Sequence, residues 1–407
     1  MFPNRLASRL LLPLLLPLFI LLSSASATAV ESPAKALTKQ PVYVGLDAEL
    51  SFAGSTSAQA IRMGMLIAME EINQAGGVLG GRPLQLVELD NKSLPARSLE
   101  NLKAMAAQSD LVAVFGGRFS PTVLESLPLI HALKLPLLDP WAAADGIIDA
   151  GYTPSYVFRL SLRDSWAMSA MLRHAAKKGA KRVGLLLVNT SWGRGNNKAA
   201  EAYVALHPEL KIVGTEWYNA TDKSFLEKVK ALKLAGAQSI VLVGNVEASH
   251  LVRAMAAIPK AERLPIVSHW GMSGGNFFED AGAALQEVDF ALVQTYSFIG
   301  AERPKALRVL AAAQRLFGVK DARSLASAVG VAHAYDLTHI LALAIARAGS
   351  TDRAAVRNAL EQVRDYDGLI KFYPQPFTLT RHEALSLQDV FMARYAPDGA
   401  IVRVTDR

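Results

Sequence analysis

Short apolar runs rich in β-branched residues alternate along this chain with longer stretches in which apolar positions recur every three to four residues. Pro41–Asp47 (PVYVGLD) is the first such run and reads as a buried strand. Ser57–Gln74 follows with Ile61, Met65, Ala68, Met69 and Ile72 on one helical face, and Gly76-Gly77 stands where a helix end favours positive φ. The same pattern predicts strands at Leu84–Leu89, Leu111–Phe115, Leu135–Leu138, Val183–Val188, Ile212–Trp217, Ile240–Val243, Pro265–Ser268 and Asp289–Gln294. Helices are predicted between them, among others at Ser120–Leu133, Trp166–Lys178, Asn196–Leu206, Ser224–Leu234 and Glu247–Ala257. Strands alternating with helices of this length predict parallel sheets covered on both faces. About ten such units exceed one doubly wound sheet, so two sheets are expected.

The natural break lies near Phe158–Asp164 (FRLSLRD), after the Gly-, Tyr- and Pro-rich stretch Gly151–Ser155. A second loose stretch, Ser297–Pro304, precedes long helices, and the chain ends in short strand-like pieces at Val390–Tyr395 and Ile401–Thr405. The Ala-rich segment Ala326–Ala348 carries His333, Asp336, His339 and Arg347, which suits a buried helix of a soluble protein better than a membrane span. The first 29 residues read as a cleaved export signal. Arg5 and Arg9 precede the leucine-rich run Leu10–Leu22, broken by Pro13 and Pro17, and Ala25-x-Ala27 or Ala27-x-Ala29 marks the cut.

Composition narrows the function classes. The 407 residues are 51% hydrophobic and 19% charged, too apolar for a disordered chain, and contain no cysteine. That excludes a disulfide scaffold, a thiolate metal site, a cysteine nucleophile and a lipidated cysteine, so with the export signal a freely diffusing exported protein is expected. Cleavage of the leader takes the formal net charge from +7 to +5. The charges are scattered, and no nucleic-acid partner is expected.

Motif matches are mostly incomplete. A P-loop pattern is missing, Gly193-Arg194-Gly195 lacks the third glycine of a dinucleotide turn, and the eight histidines show no metal-ligand spacing, so neither cofactor nor metal is expected. Gly271-Met272-Ser273-Gly274-Gly275 does match a nucleophile elbow, and Asp365 or Asp367 followed by His382 would complete a hydrolase triad in chain order. A second constellation explains more of the chain: strand Leu111–Phe115, then Gly116-Gly117-Arg118-Phe119-Ser120-Pro121, then a helix. Ser120 suits an N-cap and Pro121 a first helical residue. Free N–H groups and a hydroxyl would then meet at a positive helix end, a ready site for a carboxylate.

Five segments carry a family resemblance: Ile67–Gly81 (IAMEEINQAGGVLGG), Phe115–Pro121 (FGGRFSP), Leu135–Ala144 (LPLLDPWAAA), Tyr156–Asp164 (YVFRLSLRD) and Ala334–Gly349 (AYDLTHILALAIARAG). In order and spacing the chain resembles, from about Pro41 to Gly399, the branched-chain amino-acid-binding proteins, periplasmic receptors of the type I two-lobe fold. The resemblance implies an α/β protein of two doubly wound parallel-sheet lobes joined by a three-strand hinge, with no catalysis of its own. The expected lobes are 40–160 with 297–365 and 161–296 with 366–407. It implies a ligand site at Arg118, Phe119, Ser120, Trp141, Ala142, Ala143, Trp192, Asn245, His269 and Trp270. Ser120 matches the family serine that holds a ligand carboxylate, whereas Ala142–Ala144 would offer only backbone N–H groups. No acidic residue stands at His269-Trp270-Gly271, where the family takes up a ligand ammonium group, which argues against a plain zwitterionic amino acid. The expected function is that of a monomeric periplasmic substrate-binding protein feeding an ABC importer, its ligand an aromatic or apolar carboxylate, an amide or an amino-acid-like molecule. The alternatives are a ligand sensor for a membrane signalling protein and a serine hydrolase using Ser273.

Overall fold

The computed structural model describes residues 39–52 and 55–405. The expected export signal and its expected cleavage point lie outside the described residues. Five parallel strands form the first sheet: β1 (Val42–Ala48), β2 (Leu84–Asp90), β3 (Leu111–Gly116), β4 (Leu137–Asp139) and β5 (Val157–Arg159), ordered β2-β1-β3-β4-β5. The second sheet repeats that order with β6 (Arg182–Val188), β7 (Lys211–Tyr218), β8 (Ser239–Val243), β9 (Ile266–Ser268) and β10 (Phe290–Gln294), as β7-β6-β8-β9-β10. A small antiparallel pair, β11 (Tyr366–Asp367) and β12 (Phe372–Tyr373), stands apart. Two further strands close the second sheet: β13 (Phe391–Tyr395) runs antiparallel to β10, and β14 (Ile401–Arg403) antiparallel to β13 at the edge.

The two-sheet expectation and most strand positions agree with these elements to within a residue or two. Their central strands are buried along their whole length because helices cover both faces. The stretch read as a break overlaps β5, the edge of the first sheet, at Phe158 and Arg159. Three residues in an X-Arg-Leu-Ser context are too few to show a period. The helix Thr56–Gln74 ends as its sequence predicts: Gly76 and Gly77 take φ values of 108° and 70°, and a Cβ on Gly77 would lie 2.3 Å from the Arg82 carbonyl oxygen. The helix Ala328–Ala348 is long and apolar enough to cross a membrane, yet it is mostly buried against Thr56–Gln74.

The chain passes between the lobes three times: after β5, after β10 and ahead of β13. The third passage comes later than expected. Residues 366–384 stay with the first lobe, because the Asp336 carboxylate of helix Ala328–Ala348 accepts from Tyr366, Tyr373, and the backbone N–H groups of Leu369 and Ile370. His382 also contacts the Val157 carbonyl oxygen at 2.6 Å. Crossing follows at Glu383, whose carboxylate clasps the fully buried Arg159 with contacts of 2.5 and 3.0 Å.

Candidate functional site

In a sheet ordered 2-1-3-4-5 the connections leave strands 1 and 3 in opposite directions, opening a crevice at their carboxyl ends. Both lobes turn such ends toward the junction. From the first lobe come the turns after β1, β3 and β4; from the second, those after β6, β8 and β9.

The first-lobe turns are tightly self-bonded. Asp139, at the end of β4, accepts from the N–H groups of Trp141 and Ala142 at 3.0 and 2.8 Å. The Ser120 hydroxyl accepts from Ala143 and Ala144 at 3.2 and 3.3 Å. The three N–H groups of Ala142–Ala144 expected to receive a ligand carboxylate are therefore taken, and Ser120 serves the neighbouring turn instead of capping its own helix. Burial pushes the Asp139 carboxyl up to about 7, against the pull of Arg159 and the two N–H groups. Arg159 is buried too, which opposes its charge, but Glu383 and Asp139 hold it protonated; it also donates to the Ala144 carbonyl oxygen at 2.8 Å.

Arg118 reaches across the junction. Its Nε lies 3.2 Å from Glu49 Oε1 and its Nη1 donates to the Gly274 carbonyl oxygen of the second lobe at 2.8 Å. Glu49, just past β1, is completely buried; Ser55 and Ser57 donate to its Oε1, while Oε2 has no hydrogen-bond partner among the described residues. Phe119 faces beneath this turn, toward Asp47 and Glu49.

In the second lobe three expected residues gather on one that sequence reasoning missed. Asp164 Oδ1 accepts from the Trp192 indole N–H at 2.9 Å and from His269 Nε2 at 3.0 Å. His269 Nδ1 accepts from the Trp270 N–H, so the imidazole proton sits on Nε2, facing the carboxylate. Asp164 Oδ2 is buried without a hydrogen-bond partner among the described residues. Trp192 reaches this position because the helix Ser191–Leu206 starts earlier than predicted. Gly193 lies in its first turn, where a Cβ would stand 1.9 Å from the Val188 carbonyl oxygen. Asn245, half-buried after β8, packs its Oδ1 against Gly271.

Rings join the lobes. Trp192 meets His269 edge-on at 5.0 Å, and Trp270 lies 5.2 Å from Trp141 of the first lobe and 5.7 Å from His333. The structure thus brings Arg118, Trp141, Trp192, His269 and Trp270 to one junction. Ser120, Ala142 and Ala143 shape it through the backbone. Glu49 and Asp164 were not anticipated, although Glu49 is an acid directly after β1 and Asp164 closes the quoted segment Tyr156–Asp164. Among the described residues no group of three His, Asp or Glu is placed to hold a metal ion.

The hydrolase geometry does not form. The Ser273 hydroxyl donates to the Trp270 carbonyl oxygen at 2.6 Å, whereas His382 sits in the first lobe between the Val157 carbonyl oxygen and Glu361. Asp367 pairs with Arg303 and Lys305 on the surface. A triad needs the three side chains within hydrogen-bond reach, and here they belong to separate networks.

Solved structures share the fold. A type 1 periplasmic binding protein from Bordetella pertussis Tohama I is 24% identical with a TM-score of 0.80, covering 90% of this chain and 100% of that one. The branched-chain amino-acid transporter substrate-binding protein of Streptococcus pneumoniae, solved with isoleucine, is 22% identical (TM-score 0.73; 89% and 98% covered). A solute-binding protein of R. palustris in complex with 4-hydroxybenzoate is 18% identical (TM-score 0.75; 90% and 96% covered). All three are described as binding proteins. No curated protein matches the chain. The sequence model of the periplasmic binding protein family spans residues 41–400, all but the two ends, and the chain belongs to that family of ligand-binding, non-catalytic proteins.

Proposed function

We propose that this chain is the exported substrate-binding protein of an ABC importer and closes its lobes around a small organic molecule. The observation that carries the reading is the aromatic seam Trp192–His269–Trp270–Trp141, which runs from one lobe into the other and is flanked by Asp164 and Glu49, each with a buried carboxylate oxygen lacking a partner among the described residues. A buried charged acceptor without a donor costs about 1–3 kcal/mol or more, so both oxygens call for a ligand N–H. Trp141 and Trp270 touch here at 5.2 Å, and parting of the lobes would open room between them for a cyclic or branched apolar body, with Arg118 as the cation for a ligand carboxylate. The doubt about an amino-acid-like ligand, raised by the lack of an acid at residues 269–271, loses its basis because Asp164 reaches His269 from another element. Relatives solved with isoleucine and with 4-hydroxybenzoate support the same ligand range. Ligand contacts made only in the closed arrangement would draw the lobes together.

Calorimetry with branched-chain and aromatic amino acids, aromatic carboxylates and the corresponding amides tests this. One class should bind with a single site per chain, and Asp164→Asn should weaken those members that carry an ammonium or amide N–H. Equal binding by wild type and variant would remove Asp164 from the site.

A further inference from the structure

The second passage between the lobes, from Gln294 at the end of β10 through Ile299, forms one wall of a cavity of about 310 Å³. The first lobe supplies the loop ahead of helix Ala328–Ala348, and the second supplies Phe278, Tyr395 and the β13–β14 turn. Two contacts hold these walls together across the junction: Arg323 grips Asp398 with bonds of 2.7 and 2.8 Å, and the Ser327 hydroxyl donates to the Ser273 carbonyl oxygen at 2.8 Å.

Gln294 is 4% exposed, yet its Nε2 has no hydrogen-bond partner among the described residues. Its neighbours are satisfied: the Tyr395 hydroxyl donates to the Met272 carbonyl oxygen at 2.9 Å. Buried amide donors are nearly always paired, so an orphan one lining an open space marks a missing acceptor. The surrounding wall is apolar at Phe278, Tyr296, Leu325 and Tyr395. The rest of the lining is polar, with Ser273, Ser297, Ser324, Ser327 and the Arg323–Asp398 pair; a few convergent polar groups beside aromatic walls are the pattern of a small-molecule pocket, and the volume falls at the lower end of that class.

We propose that this hinge cavity is a second ligand site, taking a small neutral molecule with an apolar ring or branched body and one carbonyl-type acceptor, a primary amide being the simplest. Trp141, Trp192, Trp270 and Asp164 lie outside its lining, so the site stands whatever the aromatic seam holds. Because both lobes line it, an occupant favours the arrangement in which they meet.

Benzamide is the probe, followed through the methyl groups of Ile299 and Ile401 by NMR of the whole chain, with toluene as the analogue lacking an acceptor. Saturable shifts in the millimolar range are expected, as suits a ligand of this size. Gln294→Leu should weaken them about tenfold by removing the donor. Ala322→Trp, which adds bulk to the opposite wall of the cavity and leaves Gln294 itself unchanged, should abolish them while distant methyl signals stay in place. The proposal is overturned if benzamide leaves both methyls unmoved, if toluene binds as tightly, or if Gln294→Leu binds benzamide like wild type.

Discussion

Protonation of His333 should loosen the fold in mild acid. The imidazole is fully buried where helix Ala328–Ala348, the β4 turn and the second passage between the lobes converge. Its Nδ1 lies 2.8 Å from the Pro140 carbonyl oxygen, which can only accept, so Nδ1 carries the proton and Nε2 accepts from the Thr295 hydroxyl at 2.9 Å. A second proton would set a charge in this enclosure and turn Nε2 into a donor. Burial accordingly pushes the group down from its ordinary 6.5 to about 4. Between those values the unfolded chain binds a proton that the folded chain refuses, so the contribution is complete above pH 6.5 and is lost as pH falls toward 4. Linkage over that interval gives a loss of about 2 kcal/mol at pH 5 and about 3 kcal/mol at pH 4. Asp139, held up near 7 by burial, works in the opposite sense: its contribution is complete below its unfolded value and is lost as pH rises toward 7. A raw stability curve mixes the two, whereas the difference between wild type and His333→Asn isolates the histidine. Asparagine keeps an N–H for Pro140 and does not titrate. Urea unfolding of both proteins at pH 7, 5 and 4 should show the gap between them shrinking by about 2–3 kcal/mol toward pH 4. If both proteins lose the same stability over that interval, the buried neutral imidazole is the wrong description.

Three further outcomes follow from the same junction. Glu383→Ala leaves the Arg159 guanidinium buried without its counter-charge and should cost about 3–5 kcal/mol, read as a lower urea midpoint at unchanged slope. Trp141→Ala and Trp270→Ala should each destabilise by about 3–5 kcal/mol, and the double-mutant cycle should return a coupling of about 0.5–1.5 kcal/mol; strict additivity would deny the ring contact between the lobes. Asp164→Asn should weaken ligands bearing an ammonium group about tenfold or more in calorimetry and leave simple carboxylates unaffected.

Much of the fold was legible because a buried strand and an amphipathic helix are local patterns. β3 and β6 can be read from Leu111–Phe115 and Val183–Val188 alone, since a strand covered on both faces must be apolar throughout. The repeated 2-1-3-4-5 order is set by long-range pairing, which no single segment encodes. The late crossing at Glu383 was hidden for a similar reason: residues 366–384 are held by one carboxylate, Asp336, on a helix far earlier in the chain. In the site, tryptophans directly following strands could be picked out by position. Asp164 could not, since its role depends on where His269 and Trp192 arrive in space. The β4 turn misled in the other direction. Its alanines looked like free N–H donors, but Asp139 and Ser120, short side chains at the right reach, had already accepted them.

The claim at the centre of this account is that one small molecule bridges the two lobes. A thermal-shift panel of branched-chain and aromatic amino acids, aromatic carboxylates, amides and polyamines, run on the folded mature chain, tests it most directly. The account predicts that one class carrying an apolar body and an N–H or carboxylate group raises the melting temperature, the rise growing with ligand excess over Kd, and that the Trp141→Ala variant responds less, as does Asp164→Asn where the ligand carries an N–H group. A panel with no stabilising member from those classes, or a stabilising ligand to which both variants respond like wild type, would contradict it.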